Sequence, residues 1–321
     1  RWLSDWSSDV CSSDLVVGAI VSFFVILAHI PGGWPHVAAV AGAAGKFQLF
    51  DFRFDWSMAF FSEPYTFLAG ILGGCFLTTA SHGTDQLMVQ RLLAARDQAQ
   101  SRLALLASWA VIFFQFALFL FIGILLFVYY RDNNLAPPAQ LDRIYPAFIW
   151  EYLPAGVAGL VIAAILAAAM ANIAAALNSL ASTSVMDFYK PFSRPRSEEH
   201  YLKFARWATF FWGLVLLVIG IMARKWGSVL VAGLTIASIP FGALLGVFLL
   251  GVLTRRVGQR AALAGVAAGL GVIIYVRFAT PVAWTWYVMI GASATFAVGL
   301  AASLFERRLP AQPEPGAVEE R

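Results

Sequence analysis

Runs of about 20 apolar residues recur from Leu15 to Phe305, separated by short polar connections. That is the length a helix needs to cross the hydrocarbon core of a bilayer. No water-soluble core could bury all of them. Only 12% of the residues are charged, about half of the roughly 25% found in soluble domains, so the solvating surface is missing as well. Ordinary soluble enzymes and disordered chains are excluded. The expected fold class is an all-α polytopic membrane protein, with the lipid bilayer as its first partner. The 27 Phe and 11 Trp suit lipid-facing surfaces and interfacial belts.

Eight hydrophobic segments are expected, at 15–30, 66–94, 103–130, 156–185, 204–223, 228–253, 261–277 and 283–305. The first reads as a truncated span and the second as a long one interrupted by TTASHGTDQ. The end of the chain, rich in Pro and Glu, reads as a disordered tail over 306–321. Counted on alternating sides of these spans, fourteen Lys and Arg fall on one face and seven on the other. The richer face is cytoplasmic by the positive-inside rule, which puts the C-terminus inside. The expected location is a bacterial inner (cytoplasmic) membrane. The net charge of +4 is spread over short loops, so it reads as orientation and not as a nucleic-acid surface.

Residues 5–14, DWSSDVCSSD, resemble the in-frame translation of a common sequencing adaptor. Residues 1–15 are therefore read as an artefact, which also sets Cys11 aside. The remaining cysteine, Cys75, has no disulfide partner or metal spacing around it. The domain division becomes 1–15 foreign, 16–305 transmembrane and 306–321 tail, with 16–305 read as the later part of a longer protein. Zinc-protease, phosphate-loop and dinucleotide motifs are absent from the sequence, and no cofactor is expected.

Polar groups inside spans are costly and face cavities or other helices. Three places stand out. Thr78-Thr79-Ala80-Ser81-His82-Gly83-Thr84-Asp85-Gln86 interrupts an apolar stretch and invites an unwound backbone, tolerated in a membrane only where it lines a cavity. Ala163–Tyr189 is rich in small residues that let helices approach closely, with Asn172 and Asn178 as larger groups needing partners. Pro240 sits inside a span, where it frees a carbonyl and permits a kink or hinge.

These segments resemble the sodium:solute symporter family. Gly83-Thr84-Asp85-Gln86, Val89-Gln90-Arg91 and Leu93-Ala94-Ala95 are similar to its G-x-D/N-Q-x-x-x-Q-R-x-L-A-A pattern. Leu153-Pro154, Gly159-Leu160, Ala167 to Met170, Leu177-Asn178-Ser179 and Met186 to Lys190 resemble its signature helix, and Phe248-Leu249-Leu250-Gly251 its FLLG segment. The resemblance implies a leucine-transporter-like inverted repeat of five plus five helices, of which this chain holds only part, the N-terminal repeat being missing. It implies substrate contacts at Thr78, Ser81 and His82. The sugar-transporting branch has Asn and a gating aromatic at the positions of Thr78 and Ser81, so a hexose does not fit. In the signature helix the family usually places two adjacent hydroxyl residues after the Met. Here those positions are Ala171 and Asn172, with the associated carbonyl at Ala168. The implied sodium site is thus Ala168, Ala171 and Asn172, with the Asn172 amide oxygen standing in for a hydroxyl. Hydroxyls that bind another sodium in some members are replaced by Ala174 and Ala175.

The function expected is secondary active transport of a small organic solute, sodium-coupled, by alternating access. The alternatives are a proton-coupled or uncoupled transporter, with His82 as proton carrier, or a membrane sensor built on such a fold. An intramembrane enzyme would need clustered His, Asp or Glu, whereas His29, His82 and Asp85 are scattered. No obligatory protein partner is evident. Resequencing the locus by independent chemistry is expected to replace DWSSDVCSSD with codons for further membrane spans. Recovery of the same string would contradict the artefact reading.

Overall fold

The computed structural model describes residues 16–85, 89, 92–223, 228–254 and 257–305. The described residues form helices and connecting turns: α1 (Val16–Ala28), α2 (Gly33–Ala43), α3 (Met58–Ser62), α4 (Gly74–Gly83), α5 (Gln98–Asp132), α6 (Ile144–Tyr152), α7 (Ala155–Phe192), α8 (Glu198–Ala223), α9 (Val229–Leu253), α10 (Gln259–Ala279) and α11 (Tyr287–Ser303). A π-helical stretch, Ala69–Gly73, leads into α4, and another, Ser184–Tyr189, lies within α7. A 3-10 turn, Trp284–Trp286, opens α11. Among the described residues six helices are long and apolar enough to cross a membrane, or up to seven if α1 and α2 make one bent span. The sequence reading expects eight. The 66–94 segment is not among the six or seven: its continuous helix runs from Phe67 to Gly83, Thr84 and Asp85 are not helical, and residues 86–88, 90 and 91 lie outside the description.

The helices divide into two compact units. One takes residues up to Phe47 and Leu106–Val229; the other takes Gln48–Leu105 and everything from Leu230 onward. In the first unit, α1 and α2 meet at 89°. The sequence explains the bend. Pro31 has no amide proton to continue a helix, and Gly32 and Gly33 adopt φ of 84° and 56°, a region that side chains rarely tolerate. The apolar core joins Ile26 and Val37 from these helices to Leu125 and Val128 of α5 and Phe148 of α6, all fully buried. A buried relay stitches the same place: the Tyr145 hydroxyl donates to Ser22 Oγ (3.0 Å), which donates to the Gly18 carbonyl (2.8 Å). Further along the unit, α7 and α8 pair through Trp212, whose indole N–H donates to Ser184 Oγ (2.9 Å). Tyr189 stacks on Phe204 with ring centroids 4.1 Å apart.

In the second unit, α9, α10 and α11 approach through glycine. A side chain at Gly269 would collide with Thr295 Oγ1, one at Gly246 with Thr295 Cβ, and one at Gly242 would come within 3.1 Å of the Gly291 Cα. Lipid tails are as apolar as leucine, so dispersion contacts between close backbones supply much of such packing. The π-helical stretch follows the same logic. Gly73 lies against the Thr285 carbonyl, with no room for a Cβ, and Ala80 of α4 packs with Leu245, Val288 and Ala292.

Gly269→Leu is expected to destabilise this unit by about 1–3 kcal/mol or more through overpacking. Gly271→Leu, at a glycine with open space around it, should leave the melting temperature nearly unchanged. Thermal unfolding of the detergent-purified protein measures both; equal stability of the two variants would contradict the packing account.

Candidate functional site

The polar segment of the second unit is more regular than its sequence suggests. Thr78 through Gly83 are helical, so the backbone expected to unwind there does not; α4 ends at Gly83, with Thr84 as its C-cap. Side chains and caps supply the reason. The Thr84 hydroxyl donates to the Ala80 carbonyl (2.7 Å), and the Thr84 amide donates to that same carbonyl (2.9 Å). Local bonds of this kind let small polar residues stay in a helix. The irregularity lies one turn earlier, in Ala69–Gly73. Of the motif that follows, Gln86, Gln90 and Arg91 lie outside the described residues, as do residues 1–15 and 306–321.

Thr78, Ser81 and His82 are brought together, as a helix places residues three and four apart on one face. The Ser81 hydroxyl donates to the Thr78 carbonyl (3.2 Å), and His82 Nδ1 lies 3.1 Å from that carbonyl and 2.9 Å from Ser81 Oγ. A carbonyl can only accept. An unprotonated Nδ1 would set two lone pairs face to face, whereas Nδ1–H satisfies both contacts. The geometry therefore places a proton on Nδ1, donated to the Thr78 carbonyl and Ser81 Oγ. Thr78 is exposed, and Ser81 and His82 are half-buried.

Ala168, Ala171 and Asn172 lie in the first unit on one turn of α7. Asn172 Nδ2 donates to the Ala168 carbonyl (3.0 Å). The two groups expected to share an ion therefore meet as donor and acceptor. A cation beside that carbonyl requires the Asn172 amide to turn, bringing Oδ1 where Nδ2 now sits. Asn178, expected to bond a neighbouring helix, is exposed, and its side chain makes no hydrogen bond among the described residues. Among those residues no group of three or more His, Cys, Asp or Glu could hold a metal ion.

Sequence reasoning passed over the contact between α7 and α8. Tyr189 OH lies 2.8 Å from His200 Nε2, and Lys190 Nζ sits 5.4 Å from the centre of the Tyr201 ring. The only signal for it was the aromatic content of residues 188–204, which is common throughout this chain.

A profile of the sodium:solute symporter family matches residues 6–269. This chain belongs to the sodium:solute symporter family and is an integral membrane protein. It is 29% identical over 310 residues to the sodium/sialic acid symporter NanT of Aliivibrio fischeri, covering 95% of this chain and 60% of that protein. It is 27% identical to the sodium/sialic acid symporter SiaT of Proteus mirabilis, covering 94% and 61%, and 28% identical to the human sodium/iodide cotransporter, covering 81% and 41%. A solved Na+-coupled sialic acid symporter in a substrate-bound outward-open state shares the fold, with a TM-score of 0.77 at 23% identity over 95% of this chain and 62% of that one. The chain thus spans about six tenths of the length of the sialic acid symporters it matches.

Histidine labelled with nitrogen-15 should show His82 as the Nδ1–H tautomer when the ring is neutral. Ser81→Ala should leave that tautomer in place, because the Thr78 carbonyl selects it. An Nε2–H signal in the wild type would contradict the assignment.

Proposed function

We propose that this chain forms part of a secondary active transporter that couples the inward movement of sodium to that of a small organic solute by alternating access. The family match carries the reading, because it runs in order across both candidate sites. The named relatives move sialic acid and iodide with sodium, and others in the family move monocarboxylates, so carboxylates head the list of solutes to try. Thr78, Ser81 and His82 face the solute. The coupling ion sits between the carbonyls of Ala168 and Ala171 and the Asn172 amide oxygen. A sodium ion in a low-dielectric site needs several oxygens, since an unmet charge there is very costly. A carbonyl, a turned amide and further ligands from other helices answer that need. Sodium binding then competes with the Asn172–Ala168 hydrogen bond, and this makes the site a two-state element. The face richer in Lys and Arg is the cytoplasmic one, with the C-terminus inside a bacterial inner membrane. Residues 1–15 are foreign.

A second reading is proton coupling. Half-buried His82, beside Thr78 and Ser81 on α4, is the residue that would carry the proton.

Uptake into vesicles by the protein expressed from its complete reading frame separates the two. A sodium gradient should drive accumulation of the transported carboxylate. Asn172→Ala should lower the apparent sodium affinity at least tenfold, and residues 16–321 alone should give no uptake above empty vesicles. Uptake driven by a pH gradient, indifferent to sodium and lost in His82→Gln, would overturn sodium coupling in favour of the proton.

A further inference from the structure

A cavity of about 490 Å³ opens within the first unit, between the last turns of α5 and the chain that leads on into α6. Its body is apolar. Phe119, Ile122, Leu126 and Phe127 line it from α5, and Leu141 and Ile144 from the chain beyond. Spaced three and four apart, the α5 residues make one face of that helix. A cavity of this size suits a small molecule.

Two charged side chains, Arg131 and Asp142, line the same cavity, and both residues are exposed. They do not pair with each other: the ion pairs among the described residues join His36 to Asp132, Arg53 to Asp51 and Lys203 to Glu199. The Arg131 guanidinium makes no hydrogen bond among the described residues. Asp142 Oδ2 accepts from the Val229 amide (2.7 Å), which holds the carboxylate in place and leaves its other oxygen for a second donor. The Tyr145 hydroxyl, also on the wall, is engaged by Ser22.

Water-borne molecules can reach the charged end. α5 has 35 residues, about 52 Å at roughly 1.5 Å per residue, well beyond the hydrocarbon thickness of about 30 Å. Arg131, in its final turn, therefore stands at the membrane–water boundary. A ligand that fills the apolar body excludes water from both charges, and a charge so enclosed is costly without a partner. A hydrocarbon leaves both unmet. A fatty anion answers Arg131 and sets a second negative charge beside Asp142, and an apolar amine does the reverse. A zwitterion answers both.

We propose that the cavity binds a water-borne zwitterion with an apolar body, the chemistry of an apolar or aromatic α-amino acid. Its carboxylate meets the Arg131 guanidinium, its ammonium meets Asp142, and its side chain lies on Phe119, Ile122 and Leu126. The site is separate from the residues assigned to solute and sodium, and the proposal stands whichever ion drives transport. Phosphatidylethanolamine carries the same pair of charges, so the test separates lipid from free ligand.

The protein from its complete reading frame, held in phosphatidylglycerol nanodiscs, is titrated with para-fluorophenylalanine and followed by fluorine relaxation. Saturable binding is expected, at least about tenfold tighter than for para-fluorophenethylamine, which lacks the carboxylate, or para-fluorohydrocinnamate, which lacks the ammonium, because each charge makes a charge-assisted hydrogen bond. Arg131→Gln should erase the advantage over the amine and Asp142→Asn the advantage over the acid. Gly123→Leu, which fills the cavity from a helical glycine with open space around it, should abolish binding, whereas His82→Gln should leave it unchanged. Phosphatidylethanolamine added to the nanodiscs should not alter the affinity. Equal affinity of the wild type for the three ligands, or binding that survives Gly123→Leu, would overturn the proposal. So would loss of binding in the presence of phosphatidylethanolamine, which would assign the cavity to the lipid.

Discussion

The hydrocarbon core offers backbone amides and carbonyls nothing to bond to, and the rest of this structure depends on that constraint. It makes the chain helical wherever it is described within an apolar run. It also dictates how polar side chains are accommodated. Ser22, Ser184, Thr209, Thr235, Ser238 and Thr254 each donate to the carbonyl four residues earlier, at 2.6 to 2.9 Å. Asn172 and His82 make the same local contact. The Asn172 amide, the Ser81 hydroxyl and the His82 ring, assigned to ion and solute, thus bond carbonyls of their own helices. A ligand must exchange one bond for another and does not meet a vacant, costly charge. Side-chain to backbone bonds contribute only about 0.5–1.5 kcal/mol net, so the exchange is within reach of a transported solute or ion.

Departures from regular helix occur where the backbone can be compensated. At Pro31-Gly32-Gly33 the chain turns between two helices. At Ala69–Gly73 the wider π turn brings Gly73 against the Thr285 carbonyl. In α7 the π turn at Ser184–Tyr189 carries Ser184, which both accepts from Trp212 and donates to Leu180. π turns are frequent at functional sites because they re-aim side chains without ending the helix. Here one precedes the residues proposed to face the solute and the other follows those proposed to hold the ion along the chain.

Much of this was legible in the residues. Apolar runs of spanning length specified the helices from α5 onward, because at those lengths hydrophobicity leaves no other fold. The order of small motifs from Gly83 to Gly251 identified the family. The helix ends inside the stretch Thr78–Gln86, at Thr84 and not at its start, since composition does not reveal that the Ser81 and Thr84 hydroxyls bond carbonyls of their own helix. The short helices α2, α3 and α6 were not legible either; they are too brief for periodicity to register, and tertiary packing such as Phe148 in the core holds them. Asn172 was placed on the correct turn with the Ala168 carbonyl. That its nitrogen and not its oxygen faces that carbonyl is a matter of rotamer, and sequence carries no such information.

The central claim is that sodium displaces the Asn172 amide nitrogen from the Ala168 carbonyl. Equilibrium binding of radioactive sodium to the purified protein from the complete reading frame tests it most directly. The account predicts saturable binding that excess potassium does not displace, with Asn172→Asp strengthening it and Asn172→Leu abolishing it. Saturable sodium binding that is the same in wild type and Asn172→Leu would contradict it.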